Sequence, residues 1–186
     1  MSSSRTSRGG RAAGILASFA LVAATGSIVC GARADTGAGT RAHPFRLHRL
    51  GQVRDSLGWR LRVDGVTPNA DELIRAETAL NHPPRPGRRY FLVHLTVVYT
   101  GRGSARPFEG LGFYAVGRSN RIYDFLLDTC GLTPDVFNDF KRLSRGKSVS
   151  GNLCVAVKTS DIKSLVLLVE PGRLLPGTSQ TFFSLR

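Results

Sequence analysis

The chain has 186 residues with a formal charge of +13 and 41% apolar residues, a size that suits one domain with an appendage and excludes a string of large domains. A core of that size is stable without a metal or a dense set of disulfides. Arginine outnumbers lysine 22 to 4, which together with abundant Gly and Ala reads as a genomic composition bias rather than selection for a guanidinium site.

The appendage comes first. Residues 1–11 carry Arg5, Arg8 and Arg11 and no acid, residues 12–31 are an Ala-rich apolar run, and Ala32 and Ala34 put small residues where a signal peptidase reads. This layout predicts a secretory signal peptide over residues 1–34, whose removal leaves 152 residues beginning at Asp35. The alternative is an uncleaved anchor, because residues 12–31 are long enough to span a bilayer. Cys30 fits a lipoprotein signal poorly, since Ser27 and Val29 occupy the places where such a signal carries a Leu-like and a small residue.

Without Arg5, Arg8, Arg11 and Arg33 the mature chain keeps 22 basic against 13 acidic residues, about +9. An exported basic domain is drawn to anionic partners: an envelope polymer, a lipid head group or another envelope protein. Export removes it from nucleic acid. Residues 35–44 are small, polar and proline-terminated, as in a flexible linker, and the folded domain is expected over residues 45–186.

Strands are predicted at Phe45–Leu50 and Gly58–Val66, the second alternating Trp59, Leu61 and Val63 inward with Arg60, Arg62 and Asp64 outward. The single Trp is therefore a core residue. Over Thr67–His82 a short helix is expected, capped by Asn69 with Glu72 three residues later and with Leu73, Ala76 and Leu80 at helical spacing. The stretch His82-Pro-Pro-Arg-Pro-Gly87 then bars regular pairing.

Arg89–Gly101 is a run of β-branched, aromatic and aliphatic residues with no proline, and it reads as the long central strand. Both of its faces are largely apolar and only His94 interrupts it, which predicts burial in the middle of a sandwich. Leu111–Val116 and Arg121–Leu126, joined at Gly117–Asn120, form a hairpin signal. Thr133-Pro134-Asp135 ahead of Val136, Phe137, Phe140 and Leu143 predicts another short helix. Strands at Lys147–Lys158, Ile162–Glu170 and Thr181–Leu185 complete an all-β, antiparallel sandwich with one or two short helices.

Three stretches carry a family resemblance: Gly87–Gly101, Phe113–Tyr123, and Leu143–Val157 with Gly146, Gly151, Leu153 and Val157. Together they resemble the telokin-like, immunoglobulin-like domains of unknown function found in secreted and lipid-anchored proteins of Gram-positive bacteria, including actinobacterial (mycobacterial) secreted antigens. The resemblance covers residues 45–185. It implies an extracytoplasmic immunoglobulin-like β-sandwich and names no catalytic residue.

After export the remaining cysteines, Cys130 and Cys154, are an even pair in an oxidising compartment, which predicts one disulfide worth roughly 3 kcal/mol. Two cysteines 24 apart with no nearby His lack the paired ligands of a zinc site. No serine nucleophile elbow, zinc helix, phosphate loop or calcium loop is present, so no enzyme, cofactor or metal is predicted. A hydrolase with an unrecognised site is the alternative. His43, His48, His82 and His94 are dispersed, and Asp124, Asp128, Asp135 and Asp139 read as a solvated acidic patch. The candidate anion-binding surface is Arg46, Arg49, Arg60 and Arg62, expected to share the outer face of one sheet.

Overall fold

A computed structural model of the chain describes residues 46–56, 58–172 and 180–186; the expected signal peptide and the linker lie outside these residues. In chain order the elements are β1 (Leu47–His48), β2 (Val53–Ser56), β3 (Trp59–Thr67), α1 (Asp71–Glu77), β4 (Arg88–Tyr99), β5 (Ser104–Ala105), α2 (Pro107–Gly110), β6 (Leu111–Val116), β7 (Ile122–Asp124), β8 (Leu143–Ser144), β9 (Ser148–Lys158), a 3-10 turn (Thr159–Ser164), β10 (Val166–Pro171) and β11 (Thr181–Ser184). Among the described residues the strands form one sheet in the order β1-β11-β10-β6-β7, a second in the order β2-β3-β4-β9, and a small β5-β8 pair. Apart from the parallel β1/β11 pair, the strand pairs are antiparallel. This is an immunoglobulin-like β-sandwich.

The period-2 pattern of β4 decides what fills it. Phe91, Val93, Leu95 and Val97 enter the main core with Trp59, Leu61 and Val63 of β3, Val155 and Val157 of β9, and Leu167, Val169 and Phe183 of the other sheet. The opposite face is buried only at its start, where Tyr90 and Leu92 pack in a second cluster with Ala70, Ile74, Cys130 and Cys154. Beyond it, His94 bonds Asn152 (3.0 Å) and Thr96 bonds Asp64 (2.7 Å), so this face opens to polar groups rather than staying buried along its length.

The helix after β3 exists, with a different cap and a different face from those expected. Asn69 sits at φ 56° and Ala70 takes the N-cap position. Asp71 lies in the first turn, and its carboxylate accepts from the Tyr90 N–H (2.8 Å) and the Arg89 guanidinium (2.6 Å). Those bonds pin α1 to β4, and the rotation they impose buries Ile74 while leaving Leu73 45% exposed; the helix ends at Glu77, so Leu80, 79% exposed, lies beyond it.

The helix expected after Thr133 does not form. Asp135 adopts φ 45°, and residues 135–137 instead lie along β9: Asn152 donates its N–H to the Asp135 carbonyl (2.8 Å) and accepts from the Phe137 N–H (3.0 Å). The segment thereby covers an edge strand. Only a residue without a side chain fits beneath it, because a Cβ at Gly151 would lie 2.6 Å from the Asp135 carbonyl oxygen.

The disulfide joins Cys130 to Cys154, with Cα atoms 5.7 Å apart. It ties the irregular stretch after β7 to the middle of β9.

Candidate anion-binding surfaces

The four arginines singled out from sequence do not share a sheet. Arg46 and Arg49 flank β1, which pairs with β11, whereas Arg60 and Arg62 lie on β3 in the other sheet. Succession in the chain does not make these strands neighbours: β1 pairs with β11, and β2, a strand without a clear period-2 signal, is the partner of β3. Arg60 and Arg62 are exposed, with Arg60 paired to Asp55 (2.9 Å) and Arg62 to Asp64. Exposed pairs of this kind leave much of each guanidinium to solvent.

The two sheets meet near β1. The Arg54 Nε–H donates to His48 Nδ1 (2.8 Å), and the His48 ring stands edge-on to Phe183 at 5.6 Å. Burial, followed by the charges of Arg54 and Arg46, lowers the His48 pKa from its ordinary 6.5. The ring is neutral, as an acceptor at Nδ1 requires.

A cleft of about 420 Å³ lies elsewhere, between the proline loop that precedes β4 and the loop that follows β7. Pro83, Pro84 and Arg85 line one wall, Leu127, Asp128 and Thr129 the other, and Arg88 and Arg121 contribute as well. The proline loop is held in place: the Tyr90 hydroxyl donates to the His82 carbonyl (3.0 Å), the Arg88 N–H to the Arg85 carbonyl (3.0 Å), and the Thr159 N–H to the Gly87 carbonyl (3.0 Å). Proline adds stiffness by fixing φ. The opposite wall is held by the Ala156 N–H, which donates to the Asp128 carbonyl (2.8 Å).

The charge in the cleft is unbalanced. Among the described lining residues Asp128 is the one carboxylate, set against Arg85, Arg88 and Arg121. Asp128 accepts from Arg88 at 3.2 Å and lies 3.9 Å from Arg121, while Arg88 also donates to the Ala156 carbonyl (3.0 Å). Arg88 is thus oriented from within the fold. Arg121 sits over the Tyr123 ring at 5.4 Å, which leaves its edge donors available to a ligand. The sequence reading missed this site; the signal was an arginine framed by prolines, Pro84-Arg85-Pro86.

Asp161, also missed, is 1% exposed. Its carboxylate accepts from the Ser119 hydroxyl (2.5 Å) and the Tyr123 hydroxyl (2.8 Å), and the Tyr123 oxygen accepts the Lys158 N–H (3.2 Å). Burial alone would raise its pKa, but the Ser119 and Tyr123 donors, helped by Lys158, hold it below the ordinary 3.8. The group clamps the β6–β7 turn onto the turn after β9. It is enclosed by protein donors and offers nothing to a substrate.

Asp135 and Asp139 share no helical face, since no helix forms there, and Asp128 serves Arg88. Among the described residues no group of three His, Cys, Asp or Glu is placed to hold a metal, and no helix is long and apolar enough to cross a membrane.

No protein-family model and no curated protein matches the sequence. Among solved structures the chain is similar to the secreted protein MPT63 of Mycobacterium tuberculosis, at 15% identity and TM-score 0.49, covering 77% of this chain and 99% of that one. It is also similar to the yjhA protein of Bacillus subtilis, at 12% identity and TM-score 0.48, covering 74% and 99% respectively. An uncharacterized β-sandwich protein of Clostridium difficile 630 aligns at 9% identity and TM-score 0.47, covering 76% and 96%. None of these likenesses assigns a role to a residue of this chain.

Proposed function

We propose that the chain is an exported immunoglobulin-like module that binds an anionic component of the cell envelope and performs no catalysis of its own. The observation that carries this reading is the cleft, where Arg85, Arg88 and Arg121 face a single carboxylate between two walls fixed by backbone hydrogen bonds. A pre-formed concavity with guanidinium donors suits a phosphate or carboxylate, which arginine grips with two parallel bonds. The leader-like segment 1–34 and the Cys130–Cys154 bond support export. The charge of about +9 supports attraction to anionic material over the whole surface.

The mature chain 35–186, immobilised and exposed to envelope extract, should retain an anionic component that elutes as salt rises. Loss of that retention is expected in Arg85→Gln/Arg121→Gln. Retention of nothing, or of material that salt does not release, would contradict the reading.

A further inference from the structure

Exposed aliphatic side chains lie on the two loops that supply the walls of this cleft. Leu127, in its wall, is 80% exposed; Leu80 and Leu132, on the two loops that frame it, are 79% and 61% exposed. Singly exposed leucines are ordinary. These belong to two loops fastened to each other: Asn81 donates its amide to the Leu132 carbonyl (2.7 Å), and its Oδ1 accepts the Leu132 N–H (2.9 Å). A third bond from the Asn81 amide, to the Ile74 carbonyl (2.6 Å), anchors the pair to α1. Cys130, two residues before Leu132, fixes the same loop covalently to β9. The leucines are therefore carried on braced backbone beside a cluster of arginines.

We infer that this end of the sandwich docks on an anionic lipid bilayer, with lipid phosphates in the cleft at Arg85, Arg88 and Arg121 and with Leu80, Leu127 and Leu132 entering the interfacial region. The inference rests on the anion-binding reading above and names its ligand. A hydrophilic polymer would satisfy the guanidiniums and leave the leucines in water, whereas a bilayer engages both. Peripheral attachment draws on such a pairing, because insertion of apolar groups and attraction to anionic head groups are each weak alone.

The test is co-sedimentation of the mature chain 35–186 with vesicles of phosphatidylcholine alone or with added phosphatidylglycerol, alongside binding to soluble dextran sulfate. The wild type should bind the anionic vesicles and not the neutral ones. Each arginine near the surface contributes about fivefold, so Arg85→Gln/Arg121→Gln should lose at least about tenfold on vesicles. Arg60→Gln/Arg62→Gln, an equal change in charge on the face of β3, should lose less than about threefold. Leu80→Ser/Leu127→Ser should lose about tenfold on vesicles and keep its affinity for dextran sulfate. All these residues are exposed, and circular dichroism checks that each variant folds. Unchanged vesicle binding by the leucine variant would overturn lipid docking and leave anion binding standing. Equal losses in the two arginine variants would overturn the cleft as the site. Failure of the wild type to bind either anionic probe would overturn both readings.

Discussion

Replacing Asp161 with asparagine is expected to lower the stability of the domain by about 2–4 kcal/mol, the cost of breaking a buried charged hydrogen-bond network. The carboxylate accepts from Ser119 and Tyr123 at once, in a site with no water-facing side. Both hydroxyls donate to Oδ2; an amide of the same shape can keep an oxygen there, but it loses the charge that strengthens both bonds and puts an N–H donor in place of the Oδ1 acceptor. The site is tight, because Gly117 packs against the carboxylate so closely that a Cβ there would collide with Oδ2. The pH dependence has a defined sign. The folded-state pKa lies below the ordinary 3.8, so the stabilisation from ionised Asp161 is complete above the unfolded-state pKa and is lost as pH falls through the lower folded value. Urea unfolding should therefore separate the wild type from Asp161→Asn widely at neutral pH and bring them together in acid below about pH 4. Equal midpoints at neutral pH would show that the clamp contributes nothing.

Replacing Cys130 and Cys154 together with serine should lower stability by about 2–4 kcal/mol. The bond is part of the second cluster with Ala70, Ile74, Tyr90 and Leu92, so the loss combines a looser unfolded-state constraint with poorer packing. The loop it holds is not otherwise loose. Val136 is exposed and gives little hold, but Asp128, Asp135 and Phe137 bond the backbone of β9, and Leu132 bonds Asn81. Faster amide exchange is accordingly expected between these fastenings, at residues 129–131 and 133, and not over the whole stretch from β7 to β8. Native-state hydrogen exchange checks this, and uniform acceleration across the domain would contradict it.

The strands that supply the core were legible because burial writes a period of two into β3, β6 and β9, and a doubly apolar run into β4. The cysteine pairing was legible from parity and compartment. What the sequence hid was what distant backbone decides. The Pro134-Asp135 signal for a helix start is a fair local reading, but the exposed edge of β9 captured residues 135–137 as a partner. Helical spacing offers Leu73, Ala76 and Leu80 as a buried face, but the helix stops at Glu77, before Leu80, and the bonds from Asp71 to β4 bury Ile74 instead of Leu73. β1 is short and pairs with β11 at the far end of the chain, which is why Arg46 and Arg49 part company with Arg60 and Arg62. The cleft arginines come from three separate places, the proline loop, the start of β4 and the β6–β7 connection, and no local pattern links them.

The claim on which the rest depends is export with the disulfide closed, since the proposed partner is an envelope component. Cell fractionation followed by intact-mass analysis and thiol alkylation of the native protein tests it most directly. The expected species lies outside the cytoplasmic membrane, begins at Asp35, and takes up no alkylating agent at Cys130 or Cys154 until reduced. A full-length chain in the cytoplasm, with both thiols reactive, would contradict the account.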